Sequence, residues 1–122
     1  MQVELEKLLE VAGGFGTVPM LLTVDDDGRP RAAAVTVSWD GVHAMVSAGR
    51  RSLHNAAERS LVSLLWPAPA GERFALLVDG EVVTTEPADA GAGKAGGKAG
   101  GGVVVVRATS AILHVVAART SR

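Results

Sequence analysis

The pattern of hydrophobic and polar positions divides the chain into short apolar stretches separated by turns. Six stretches have the length and the valine- and leucine-rich composition of β-strands. Asp-Gly pairs within residues 25–30 and at 40–41 predict tight turns between them. The predicted strands cover residues 17–24, 31–39, 42–48, 61–66, 73–78 and 103–117.

Two segments have helical periodicity instead. Residues 3–12 carry apolar side chains at roughly helical spacing, and Gly13 and Gly14 follow as a C-terminal stop. A second short helix is predicted over residues 53–59, between the third and fourth strands. Six strands with so few helices favour a small β-barrel with helices at its ends, because a layered βαβ fold needs a helix between most strands.

Three segments near the C-terminal end have special features. Asp79-Gly80 is compatible with a hairpin, or with a glycine bulge in one long strand that ends near Thr85. Residues 87–102 are a low-complexity Ala/Gly/Lys segment, which predicts a mobile loop. In the last strand, residues 109–110 are a candidate bulge.

Composition narrows the class of protein. A chain of 122 residues is one domain, 1–122, with room for a hydrophobic core. A net charge of −1 argues against general electrostatic binding to nucleic acid or an anionic membrane. The sequence has no cysteine, which excludes disulfides and thiolate chemistry. With neither a signal-peptide pattern nor an apolar run of about 20 residues, we expect a cytoplasmic protein.

The turn between the third strand and the second helix carries the clearest chemical signal. It combines two hydroxyls, a glycine and two adjacent arginines: Ser47, Gly49, Arg50, Arg51 and Ser52. Unpaired backbone N–H groups at a helix N-terminus favour an anion, and guanidinium groups bind phosphate in a bidentate manner. The turn is therefore a candidate phosphate site. The simpler alternative is that both arginines are solvated surface charges.

The order of the motifs resembles a known family. P-x-L-x-T is followed by D-G-x-P, the Ser/Arg turn, H-N in the helix and V-S-L-L-W. Here these motifs occupy residues 19–23, 27–30, 47–52, 54–55 and 62–66. Together they resemble the flavin-binding split-barrel family of pyridoxamine 5'-phosphate oxidase and its relatives, over residues 17–85.

The resemblance implies a mainly β, six-stranded split barrel with one or two short helices, which forms a two-fold homodimer with cofactor clefts between the subunits. It also implies that residues 78–81 belong to one kinked strand. Apolar runs at 32–35 and 103–106 independently favour a partner that covers the sheet. The implied cofactor site has a phosphate part, a part along the backbone of the second strand, and one tryptophan that borders the cleft. Its residues are Ser47, Arg50, Arg51 and Ser52, then Ala34, Val35 and Thr36, and finally Trp66.

Departures from the family pattern limit what the resemblance implies. Ala33 and Ser38 stand where the oxidase carries an arginine and a lysine, and Ser52 replaces a common lysine. The oxidase's C-terminal substrate segment has no counterpart before Arg122, so we do not expect pyridoxamine phosphate oxidation. We expect an FMN-dependent oxidoreductase that acts on a small molecule. The alternatives are a deazaflavin coenzyme or haem as the bound group, or a non-catalytic carrier on the same fold.

Other polar residues carry weaker signals. The three histidines are dispersed along the sequence, and neither His54 nor His114 has a carboxylate neighbour in sequence that would orient it as a base. We therefore predict no metal site and no catalytic triad. The aspartates at 25–27 lack the spacing of a calcium loop and are interpreted as a solvated hairpin turn.

Overall fold

The computed structural model describes residues 1–88 and 101–116, which form a curled antiparallel sheet and two short helices. Helix α1 covers Leu8–Gly13, after a 3₁₀ turn at Leu5–Lys7, and helix α2 covers Arg50–Glu58. The strands are β1 (Gln2–Val3), β2 (Met20–Val24), β3 (Pro30–Ala34), β4 (Thr36–Asp40), β5 (His43–Ala48), β6 (Leu61–Trp66), β7 (Phe74–Pro87) and β8 (Gly102–Val115).

The strand order explains why the sheet curls. It runs β3-β2-β6-β7-β8-β5-β4, with β1 paired to β8. The two end strands, β3 and β4, are consecutive in the chain and are separated only by Val35. One extended segment therefore lies along both ends of the sheet and brings them together. The N–H of Val35 donates to the carbonyl of Pro19 at 3.0 Å, and that of Val37 to Thr17 at 3.0 Å.

The core lies inside the curled sheet. In strands such as β5 alternate residues point inward, as Ala44, Val46 and Ala48 do. Leu21, Leu64 and Leu76 are at most 1% exposed. Burying a side chain of this size stabilises the fold by about 1.5–3 kcal/mol relative to leaving it exposed. Both helices add apolar residues to the same core, among them Leu8, Ala12, Leu53 and Ala56.

The long pair β7–β8 settles the choice at Asp79-Gly80. Both strands have 14 residues, and β7 continues through Gly80 with a shift in pairing register. Asp79 pairs with Ser110 and Gly80 with Ala108, so Thr109 is the extra residue of a bulge. A Cβ at Gly80 would collide with the side chain of Val106 and the carbonyl of Arg107. The continuous, bulged strand is confirmed, and the bulge lies within the predicted residues 109–110.

Several predicted boundaries differ from the structure. The helix predicted over 3–12 is wrong in its first part, because Gln2–Val3 pairs with the edge of β8 at Ile112 and Ala111, beyond the end of β5. Six strands were expected, and the structure has eight segments: β1 is additional, and the predicted strand 31–39 is divided at Val35. Helix α2 begins at Arg50, three residues earlier than predicted. Most of the predicted loop 87–102, and Ala117 at the end of the last predicted strand, lie outside the described residues.

Candidate functional site

The β5–α2 turn, residues 47–52, connects the end of β5, an inner strand of the sheet, to the N-terminus of α2. Gly49 is the N-cap residue, with extended backbone (φ −77°, ψ −179°) and no side-chain cap. The N–H of Leu53 closes the first helical turn on the carbonyl of Gly49 at 2.9 Å. The N–H groups of residues 50–52 consequently have no acceptor within the helix, and the positive end of the helix dipole lies at this turn.

The structure places several predicted cofactor residues side by side. Ser47 and Thr36 are Cα partners on β5 and β4, and both side chains are exposed on the same face of the sheet. Arg50 and Arg51 are exposed in the first turn of α2, whereas Ser52 is buried there. Four exposed polar residues, Thr36, Ser47, Arg50 and Arg51, thus lie at this turn or paired with it.

The second-strand residues occupy the junction between β3 and β4. Ala34 is exposed at the end of β3, and Val35 is buried between the two strands. The junction therefore adjoins Thr36, the first residue of β4.

Trp66 lies in the core. It is 1% exposed, and its indole N–H donates to the carbonyl of Gly16 at 2.9 Å. Its ring stacks on that of Trp39 with centroids 6.2 Å apart and an angle of 18° between the planes. Within this chain Trp66 is therefore a buried core residue and not an exposed one.

A cleft of about 580 Å³ lies between α2 and the β2–β3 turn. Its charged and polar lining centres on Asp25, whose side chain is 13% exposed. The Asp25 carboxylate accepts hydrogen bonds from Arg31 Nε and, at 2.8 Å, from Asn55 Nδ2. Arg51 Nη1 lies 3.6 Å from the same carboxylate. The hydrogen bond from Arg31 lowers the pKa of Asp25 most, followed by that from Asn55.

Asp26 makes a second set of contacts with the helix. Its carboxylate lies 2.9 Å from His54 Nε2 and 3.0 Å from Arg59 Nη2. The hydrogen bond with His54 lowers the pKa of Asp26 most, followed by that with Arg59. We call the group formed by Asp25, Asp26, Arg51, His54, Asn55 and Arg59 the polar corner.

The polar corner corrects one expectation from the sequence. The aspartates at 25–27 do form the turn between β2 and β3, and Asp26 and Asp27 keep 65% and 64% of their side-chain surface exposed. Asp25 is the exception to the predicted solvated turn, because its side chain is only 13% exposed and accepts a hydrogen bond from Asn55. His54 has a carboxylate partner after all, 28 residues earlier in the chain. The partner was missed because the fold, and not the sequence neighbourhood, brings the turn to the helix.

Asn55 was also missed as a site residue. It is 1% exposed, and its Nδ2 donates to Thr23 Oγ1 at 3.1 Å as well as to Asp25. The available signal was spacing: Asn55 follows Arg51 by four residues in α2, and Arg59, the C-cap residue, follows Asn55 by four. Asn55 lies among the buried residues of the helix, and a buried amide requires a hydrogen-bond partner.

Solved structures with a similar fold include three proteins. An F420 reductase superimposes with a TM-score of 0.65 and 24% identity, over 79% of this chain and 89% of the reductase. A pyridoxamine 5'-phosphate oxidase-like protein of Listeria innocua gives 0.64 and 18% identity, over 90% and 98% of the two chains. HupZ of Group A Streptococcus gives 0.60 and 12%, over 96% of each chain. No family model and no curated protein matches the sequence.

These likenesses define the class of fold. The chain has the split-barrel fold of pyridoxamine 5'-phosphate oxidase-like proteins, which confirms the resemblance found in the sequence. All three identities are below 25%, so the likeness is one of fold. Neither described helix has the length and apolarity of a membrane-spanning segment.

Proposed function

We propose that the chain is a cytoplasmic, FMN-binding oxidoreductase that acts as a homodimer on a small organic molecule. One observation supports this most directly: Arg50, in the first turn of α2, has no carboxylate within 4.0 Å among the described residues. A basic side chain beside unpaired helix N–H groups is chemically suited to the phosphate of FMN.

The residues present fit the cofactor in two parts. Ser47, Arg50 and the first-turn N–H groups, including that of Ser52, would hold the phosphate, and Arg51 would add a smaller share. The backbone of residues 34–36 would border the ring system, and Trp66 would support that surface from the core. Both parts meet where Thr36 pairs with Ser47.

The bound flavin would supply hydride transfer, and the protein would position it and its substrate. We assign no catalytic side chain. A non-catalytic flavin carrier on the same fold therefore remains the alternative, and turnover of NADH or NADPH with an artificial acceptor separates the two. A deazaflavin coenzyme is a second candidate, because one structural neighbour is named as an F420 reductase.

The outer face of the sheet supports the proposed homodimer. An apolar row of side chains crosses five neighbouring strands, β3, β2, β6, β7 and β8. Each residue of the row is the Cα partner of the next, and none of them is buried. A continuous apolar surface of this kind is typical of protein–protein interfaces. The row consists of Ala34, Met20, Leu65, Leu77 and Ile112. Sedimentation that shows only monomer at micromolar concentration would contradict this part of the proposal.

Titration with FMN and with riboflavin tests the cofactor assignment. Riboflavin has the same ring but lacks the phosphate, so the double variant Arg50→Ala/Arg51→Ala should weaken FMN binding and leave riboflavin binding unchanged. Loss of one or two charge-assisted contacts predicts a decrease of about 10- to 100-fold in FMN affinity. Arg73→Ala, an exposed arginine outside the turn, is the matched control.

The absorption spectrum of the purified protein adds a second readout. A flavin band, or uptake of FMN with quenched fluorescence, supports the proposal. A deazaflavin band or a haem Soret band would replace FMN by that group. A wild-type protein that binds none of the three would overturn the proposed function.

A further inference from the structure

The two adjacent arginines of the β5–α2 turn have different surroundings. Arg51 Nη1 lies 3.6 Å from Asp25 Oδ2, across the cleft at the β2–β3 turn. Arg50 lines the same cleft but forms no ion pair with the described residues. Adjacent residues of a helix point about 100° apart, so both side chains cannot address one small anion in the same way.

Hydrogen bonds to both oxygens fix the position of the Asp25 carboxylate. Its Oδ1 accepts a hydrogen bond from Asn55, whose amide is itself buried and anchored on Thr23. Its Oδ2 accepts from Arg31 and faces Arg51. The carboxylate is thus fixed from the core side and presents its negative charge to two guanidinium groups.

The other carboxylates of the region are already engaged. Asp26 contacts His54 and Arg59, and Asp27 lies 3.6 Å from Arg29. Asp25, which also accepts a hydrogen bond from Arg31, is therefore the carboxylate of the described residues that attracts the guanidinium of Arg51. An anion at the helix N-terminus would compete with Asp25 for Arg51, but not for Arg50.

From this arrangement, and resting on the proposed function, we propose a division of roles. Arg50 contacts the cofactor phosphate. Asp25, positioned by Asn55, draws Arg51 to the β2–β3 turn and so lowers the affinity of the β5–α2 turn for phosphate. Asp25 is a specificity-determining residue that acts through Arg51 and does not touch the ligand.

Removal of the negative charge of Asp25 should increase the affinity for FMN. Asp25→Asn keeps the shape and an acceptor for Asn55 but removes the negative charge. Arg51 is then free to turn toward the phosphate, and the repulsion between Asp25 and the phosphate is lost. At low ionic strength we expect FMN to bind about three- to tenfold more tightly. Riboflavin affinity should not change.

Four variants test the roles by FMN and riboflavin titration at low ionic strength, each with its melting temperature as a check on folding. Arg50→Ala should weaken FMN binding about tenfold or more, and Arg51→Ala about threefold or less. Asp25→Asn should show the gain, and Asp25→Asn/Arg51→Ala should keep only the smaller part of it that comes from the lost repulsion. A role of Asp25 in folding alone would change the melting temperature without a gain that is specific to FMN.

The outcomes separate this inference from the proposed function. If wild-type protein binds FMN but Arg50→Ala and Arg51→Ala weaken it equally, the division of roles is wrong and the cofactor site stands. A folded Asp25→Asn variant with unchanged or weaker FMN binding also overturns the division. The comparison of the two arginine variants holds even if Asp25→Asn fails to fold. If wild-type protein does not bind FMN, both proposals fall.

Discussion

The barrel interior and the polar corner differ in the side chains that fill them and in what those side chains do. In the interior, Leu21, Leu64 and Leu76 are at most 1% exposed and pack against other apolar residues. In the polar corner, Arg51 and His54 keep 63% and 51% of their side-chain surface exposed, and their contacts are ionic or hydrogen-bonded.

The difference shows how stability and chemistry are separated in this small fold. Apolar burial is insensitive to direction and supplies most of the free energy of folding. Exposed ion pairs add little stability, typically about 0–1 kcal/mol each, but they fix where charged groups lie. Asn55 joins the two regions, because it is buried like the interior and hydrogen-bonded like the corner.

The largest effect is expected from the interior. Leu76→Ala removes a side chain that is 0% exposed at the third residue of β7, and leaves a cavity. We expect the free energy of unfolding to fall by about 2–5 kcal/mol. Leu61→Ala, at a position that is 72% exposed, is the matched control and should change it by no more than about 0.5 kcal/mol. Equal losses in urea denaturation would contradict the contrast.

A smaller effect is expected where the two regions meet. Asn55→Ala removes the donor to Thr23 and Asp25 from a buried position. The orphaned Thr23 hydroxyl and the space left behind should lower the free energy of unfolding by about 1–3 kcal/mol. Glu58→Ala, an exposed position on the same helix, is the control. If both variants unfold at the same urea concentration as wild type, the buried amide has no role in stability.

The same contrast explains which parts of the molecule the sequence predicts. Strand β6 begins and ends at the predicted residues 61–66, because an apolar run of strand length is followed directly by the Pro/Ala/Gly turn that starts at Pro67. At Asp79-Gly80 the local pattern left a hairpin and a bulged strand open, and the resemblance to the split-barrel family favoured the continuous strand that the structure shows. The first feature depends on local pattern, and the second on the order of motifs along the chain.

The polar corner depends instead on long-range geometry. His54 and Asp26 are 28 residues apart, and Asn55 and Asp25 are 30 apart. The sequence located the arginines at the β5–α2 turn but offered no way to see that Asp25 faces one of them. The junction at Val35 was hidden for the same reason, because a single extended segment gives no sign that it serves both ends of the sheet.

The smallest effect is expected in the pH dependence of the free energy of unfolding, which distinguishes the polar corner from the barrel interior. The pKa of Asp25 is lowered from 3.8, first by the hydrogen bond from Arg31 and next by that from Asn55. A carboxyl whose pKa is lower in the folded state binds its proton less readily there than in the unfolded chain. Its contribution to the free energy of unfolding is therefore complete above about pH 3.8 and is lost as the pH falls through the lowered value.

Asp25→Asn removes this contribution without removing the side chain's shape. We expect the wild type to melt at a higher temperature than the variant at neutral pH, with a gap that closes as the pH falls below about 3.8. The barrel interior has no such dependence, so the gap between wild type and Leu76→Ala should stay nearly constant over the same range. A gap for Asp25→Asn that is equally constant would mean that the ion pairs of the polar corner position charged groups without stabilising the fold.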